Sequence, residues 1–232
     1  MKRLKVLAPL GACLLALAAV AQAEIIPLSR ACESALALSA GPANLREAAG
    51  VLVLGNSGYE TVRASSNGFT CMVERNHELS LVPQCFDERS LHAHVSMLLE
   101  EGRKIRQGVP FETILEQREA GLENGQYKPA SGPGIVYMIS DFNYIRGPGG
   151  DVVKVAPHVM FHAPNLSHAD IGSDPATALQ NRGLPIIASE GPHGFMVSFT
   201  DAPSDSADVL AYCAGELPDA SAFRPFPPPT AP

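Results

Sequence analysis

Apolar positions first recur at helical spacing over residues 30–39, with Ser29 placed to cap the segment and Gly41-Pro42 to stop it. Asn44 and Glu47 form a weaker capping pattern ahead of Gly50. The pattern then shortens. Residues 51–54, 59–64, 69–75 and 79–82 read as strands, separated by Gly55-Asn56-Ser57-Gly58, Ser65-Ser66-Asn67-Gly68 and Asn76-His77. These separators are turn-forming residues, so the four segments predict an antiparallel meander. Leu91, Val95, Leu98, Leu99 and Ile105 restore the helical period and predict a helix over 90–107. Gly108-Val109-Pro110 breaks it, and a second helix from Phe111 runs to about Gly125 on Ile114, Leu115 and Leu122.

Punctuation at 129–134 precedes an apolar strand over 135–140 and a glycine-rich loop over 141–150. Strands follow at 152–155 and 158–163, then a helical turn at 165–172 and a hairpin of 184–188 with 194–199. A last helix spans 206–214, and the proline-rich tail, residues 225–232, is expected to be extended. Strands, then helices, then mixed elements predict an α+β class. The expected arrangement is one antiparallel sheet, built from the N-terminal meander and the C-terminal strands, with the two central helices on one face. The domain spans residues 24–224, and a sub-boundary near Lys128 is the alternative.

The N-terminus changes the picture of where the chain resides. Lys2, Arg3 and Lys5 precede an apolar run over 6–20, and Ala21-Gln22-Ala23 presents small residues for cleavage before Glu24. The run is too short for a membrane span and is interrupted by Pro9 and Gly11. A signal peptide over 1–23 and a periplasmic or secreted protein are therefore expected, with no transmembrane segment in the mature chain. A competing reading takes Leu10-Gly11-Ala12-Cys13 as a lipoprotein box, which would leave an apolar tether where a polar spacer is usual. Cleavage after Ala23 removes three basic residues and no acid, moving the net charge from −7 to −10. That balance argues against nucleic acid as a partner, because such binding depends on Lys and Arg displacing counterions.

Four cysteines remain in the exported chain, and an even number in an oxidising compartment reads as two disulfides. Cys71 and Cys85 fall on one proposed hairpin and pair locally. Cys32 then pairs with Cys213, tying the first helix to the last.

Histidine supplies the candidate chemistry. His158, His162, His168 and His193 lie close in sequence to Asp170 and Glu190. In a strand, His158, Met160 and His162 share one face, and Val159, Phe161 and Ala163 share the other, which is expected to belong to the core. His158 and His162 would then stand about 13 Å apart at the backbone. A zinc-like ion needs nitrogens within roughly 2.1 Å, so a neighbouring strand would have to bring in His193, Glu190, His168 or Asp170. The competing readings are unrelated histidines satisfied by backbone or water, and a metal-free pocket with His162 or His193 as acid or base. Ser140, Ser167 and Ser189 are nearby hydroxyls, but no motif singles one out as a nucleophile.

Other patterns exclude more than they suggest. His92 and His94 stand two apart on a helix and do not face each other. There is no His-Glu-x-x-His, phosphate loop or Gly-x-Ser-x-Gly elbow. Gly147-Pro148-Gly149-Gly150 lacks the lysine and helix of a phosphate loop, and the absence of tryptophan removes a common sugar-stacking platform. Glu74 and Glu78 are a carboxylate pair of a spacing common by chance.

At Ser66-Asn67-Gly68-Phe69-Thr70-Cys71, Gly134-Ile135-Val136-Tyr137-Met138 and Pro157-His158-Val159-Met160-Phe161-His162-Ala163-Pro164, the chain resembles a group of uncharacterised secreted bacterial proteins. The similarity covers most of the mature chain. It implies an exported, periplasmic setting and carries over no functional residue. The functions in competition are a disulfide-braced envelope protein with a histidine-lined metal or small-ligand site, a metal-dependent hydrolase, and a non-catalytic module that binds an envelope protein.

Overall fold

The computed structural model describes residues 25–200 and 206–226. The expected signal peptide, the Cys13 lipoprotein box and the tail from 227 onward lie outside the described residues.

The helices are α1 (Arg30–Ser39), α2 (Ala43–Arg46), α3 (Glu88–Arg106), α4 (Phe111–Glu123), α5 (Pro175–Gln180) and α6 (Ala207–Tyr212). The strands of the first half are β1 (Gly50–Gly55), β2 (Gly58–Arg63), β3 (Phe69–Glu74) and β4 (Val82–Asp87). Those of the second half are β5 (Ile135–Met138), β6 (Tyr144–Arg146), β7 (Val152–Val155), β8 (His158–His162), β9 (Ile186–Ser189), β10 (Phe195–Phe199) and β11 (Pro225–Phe226). The class is α+β. Eight strands form one sheet in the order β2-β1-β3-β4-β5-β8-β10-β9, so the N-terminal and C-terminal strands do join.

Four departures from expectation have local causes. First, the meander is not in simple order: β3 lies beside β1 and parallel to it, through Gly50↔Thr70 and Val51↔Cys71. The connection after β2 crosses the start of β1 instead of turning back. Ser66 N–H donates to the Ala48 carbonyl and the Asn67 amide to the Leu45 carbonyl, while Gly68 takes a positive φ of 80°. Second, β4 begins where the expected strand ends. Pro83 lies within it, but pairing with β5 is confined to Cys85 and Phe86, so the missing N–H falls outside that ladder. Third, the loop expected over 141–150 contains β6, which pairs with β7, and β7 pairs in turn with β11, in a separate three-stranded sheet. Pro225 and Phe226 of the expected tail thus pair with Lys154 and Val155. Fourth, no helix forms over 165–172. Asp174 caps α5 a few residues later, accepting from the backbone N–H groups of Ala176 and Thr177.

Alternation along the central strands explains the layering. Val51, Val53, Cys71, Val73 and Cys85 pack with Cys32, Leu36 and Ala37 of α1 on one face. Leu52, Met72, Phe86, Val136 and Met138 pack with Leu98 of α3 on the other. Phe111 and Ile114 of α4 join Ile105 and Leu54 at the end of that second layer. β1 is buried on both faces, which is why it reads as a continuous apolar run.

Both expected disulfides are present. Cys71 and Cys85 stand opposite each other across β3 and β4, and Cys32 binds Cys213 over a separation of 181 residues. Crosslinks of this kind contribute about 2–4 kcal/mol each in the chain-entropy account. Among the described residues, no helix is long and apolar enough to cross a membrane.

α3 approaches the sheet closely at Gly102, where a Cβ would lie 2.5 Å from Cδ2 of Tyr59. That ring is anchored, since its hydroxyl donates to the Val73 carbonyl at 2.8 Å. Gly102→Ala gains roughly 1 kcal/mol of helix propensity but overpacks the contact at a cost of roughly 1–3 kcal/mol. A lower urea midpoint at unchanged m-value is expected; an unchanged or higher midpoint would show that the ring yields freely.

Candidate functional site

A cleft of about 670 Å³ opens between the sheet and helices α3 and α4. Its floor comes from the face of β3, β4, β5 and β8 that bears Glu74, Gln84, Phe86, Met138, His158 and Met160. The roof carries His94, Met97 and Leu98 from α3 and Arg118 and Leu122 from α4. The β9–β10 turn closes one end with Glu190, Pro192 and His193. The size is that of a small-molecule site.

The floor follows from register. Met138 pairs with His158 and Val136 with Met160, while Val197 and Phe199 stand opposite Met160 and His158 on the next strand. His158, Met160 and His162 therefore share a face, as expected. This face packs beneath α3, where Met160 contacts the core and His158 is only 4% exposed; Val159 and Phe161 on the other face are half-buried, as Met160 and His162 are, and Ala163 is buried. The expected assignment of the Val159, Phe161 and Ala163 face to the core holds at Ala163, while Val159 and Phe161 join none of the buried clusters among the described residues. α1 covers the opposite face chiefly over β1, β3 and β4, and α3 and α4 supply the cover on the histidine side.

Each imidazole has a definite state. His158 Nδ1 lies 2.8 Å from the Ala156 carbonyl and His94 Nδ1 lies 2.9 Å from the Ser90 carbonyl. A carbonyl only accepts, so Nδ1 carries the proton in both rings. Burial lowers the pKa of His94 and pushes that of His158 from 6.5 down to about 4. Both are neutral at pH 7, which leaves Nε2 as an acceptor, and no partner for either Nε2 occurs among the described residues.

His162 is differently placed. Its Nε2 lies 2.9 Å from Ser90 Oγ, and desolvation, with His94 adding to it, lowers its pKa to about 4. His94 and His162 stack at 5.4 Å between ring centroids, with Phe195 against both and Phe86 against His94. Ser90 and His162 have the spacing of a nucleophile and its base. Ser90 is fully buried, however, and a Cβ on Gly134 would lie 2.5 Å from its Oγ and 2.6 Å from His162 Cδ2. No space remains for a carbonyl carbon to approach, and the bond ties β8 to the first turn of α3.

Charge enters at the other end of the cleft. Arg118 Nε donates to Glu101 Oε1 at 2.7 Å, and Nη2 donates to Glu74 Oε1 at 2.6 Å and to Glu101 Oε2. Glu74 also accepts from the Gln84 amide. Arg118 is held above its ordinary range because the two carboxylates outweigh its burial, while burial raises the Glu101 pKa.

The sequence-selected residues fall into separate groups. His158, His193 and Glu190 line the cleft, and burial lowers the His193 pKa. His162 sits beside it on Ser90. His168 Nε2 instead accepts the backbone N–H of Ile187, and Asp170 accepts the N–H and hydroxyl of Ser167 in an exposed turn. Among the described residues, no three histidine, cysteine, aspartate or glutamate side chains gather to hold a metal ion. The proposed serines are likewise engaged: Ser140 with Ser39, Ser167 with Asp170, and Ser189 with the Phe195 N–H. His92 points to solvent and His94 inward, as the two-residue spacing requires.

His94, Ser90, Glu101 and Arg118 were not indicated by any motif. The local signal for His94 is its position four residues after Ser90, one helical turn on, from which its ring reaches back to the Ser90 carbonyl. No protein-family profile, curated protein or solved structure matches this chain.

The buried His158 sets a pH dependence. Its folded pKa is depressed, so its contribution is full above 6.5 and is lost as the pH falls toward 4. The loss amounts to about 3 kcal/mol. Glu101, raised by burial, acts in the opposite sense, so the informative quantity is a difference. Urea unfolding across this window is expected to show the wild type losing about 3 kcal/mol more than His158→Gln, which retains a donor for Ala156. Parallel curves would mean that His158 is solvated.

Proposed function

We propose that this is an exported protein that binds a small molecule non-covalently in the cleft beneath α3 and α4. The observation that carries the reading is the pair of imidazoles, His94 and His158, each fixed through Nδ1 with an uncommitted Nε2 on the wall of a mainly apolar cleft. An uncommitted Nε2 facing the cleft can accept a hydrogen bond from a ligand donor. Export is supported by the two disulfides, which persist in oxidising compartments.

Two measurements test this. The uncharged fluorophore N-phenyl-1-naphthylamine is expected to brighten with saturable binding. Ala93→Trp, which places an indole in the roof, should reduce that affinity at least tenfold without lowering stability. An unchanged titration in that variant, or no binding by the wild type, would remove the cleft from consideration. For export, mass spectrometry of the chain produced with its natural N-terminus in a bacterial host is expected to show a mature species starting at Glu24. Retention of Met1 in the cytoplasm, or a lipidated Cys13, would overturn it.

A further inference from the structure

The polar groups of the cleft specify more than its size, and the following rests on the ligand-binding reading above. We infer that the ligand is an organic cation: a protonated amine on an apolar body, with a second hydrogen-bond donor remote from the ammonium group.

The charge balance is the first reason. The lining contains Glu74, Glu123 and Glu190 but one cation, Arg118, and Arg118 is shared between Glu74 and the buried Glu101 behind it. Two of its nitrogens, Nε and Nη2, are already engaged. An anionic ligand approaching Nη1 would meet two carboxylates against one guanidinium, whereas a cation would be attracted. A carboxylate offers about four lone-pair sites, and Glu74 uses one for Arg118 and one for Gln84, so capacity remains for an ammonium donor.

The second reason is independent of the acids. The histidine end offers acceptors: His158 is almost completely buried, its Nδ1 donates to a backbone carbonyl, and its Nε2 has no partner among the described residues. His94 repeats this arrangement from the roof. Glu74 lies on β3 and His158 on β8, three strand positions apart in the sheet, which corresponds to about 14 Å. Phe86, Val82, Met138 and Met160 line the interval. Aromatic faces and thioethers suit an apolar body next to a cation. The recognised pattern is therefore a positive donor, an apolar spacer and a neutral donor.

Three near-isosteric probes test the class by calorimetry on the mature chain at low ionic strength. They are tyramine, the uncharged alcohol tyrosol, and 3-(4-hydroxyphenyl)propionate. Tyramine is expected to bind at least tenfold more tightly than tyrosol, to outcompete the naphthylamine dye, and to weaken as salt is added. The acid should bind no better than the alcohol. Glu74→Gln should lower tyramine affinity severalfold and leave tyrosol unchanged. Because Glu74 also anchors Arg118, the exposed pair Glu123→Gln and Glu190→Gln provides the same comparison without disturbing the fold. Equal affinity for amine and alcohol, or preference for the acid, would overturn the cationic class while leaving the dye-binding cleft intact. Dye binding without displacement by tyramine would also overturn it. Failure of both dye and amine to bind would remove the cleft reading as well.

Discussion

Two glutamates from different elements share one guanidinium, and the cleft depends on that arrangement. Glu74 projects from β3, Glu101 from α3 and Arg118 from α4, so a single ion cluster joins the floor to both helices of the roof. A buried ion pair returns little net stability relative to apolar packing of the same volume. What this one supplies is position: Phe111 and Ile114 hold the start of α4 in the core, while Arg118 directs the rest of the helix over the sheet. The adjacent residue, Arg75, faces the opposite layer, where it meets Glu33 of α1. Alternation along β3 thus places an acid and a base on opposite sides of the sheet, each matched by a helix.

The neutral imidazoles impose a second constraint. His94 and His162 stack face to face between Phe86 and Phe195, an arrangement suited to uncharged rings because two imidazolium ions at that spacing would repel. Burial keeps them neutral, with His94 adding to the effect on His162, and the backbone carbonyl of Ser90 fixes the tautomer of His94. Ser90 is therefore central to this corner, receiving one histidine at its carbonyl and another at its hydroxyl while Asp87 accepts its N–H. The chemistry available is recognition by fixed acceptors, with the serine enclosed in packing.

Features carried by local signals were legible in the sequence. Ser29 caps α1 as its spacing indicates, β7 has the expected bounds, and both cysteine pairs form. The common face of His158 and His162 followed from period-two alternation, but which face the helices cover did not, because that depends on where α3 and α4 settle. β4 was obscured by Pro83, a residue that disfavours strand, and β6 by the glycines that follow it. The ion cluster was invisible for a different reason: Glu74, Glu101 and Arg118 are ordinary charged residues on separate elements, and nothing in their spacing distinguishes them from solvated positions. Likewise, the six residues selected as metal ligands include three on the cleft and three that already hold other partners.

The bond between Cys32 and Cys213 has a topological consequence. It makes nearly all of the described chain a covalent ring, with β11 laid beside β7 just beyond the closure. A protease that severed one peptide bond in the exposed stretch between β8 and β9 would open the ring without releasing a fragment. The nicked molecule would still run on a denaturing gel as one species until a reductant was added, and trimming enzymes working inward from either end would meet the linkage before reaching the sheet that forms the cleft floor.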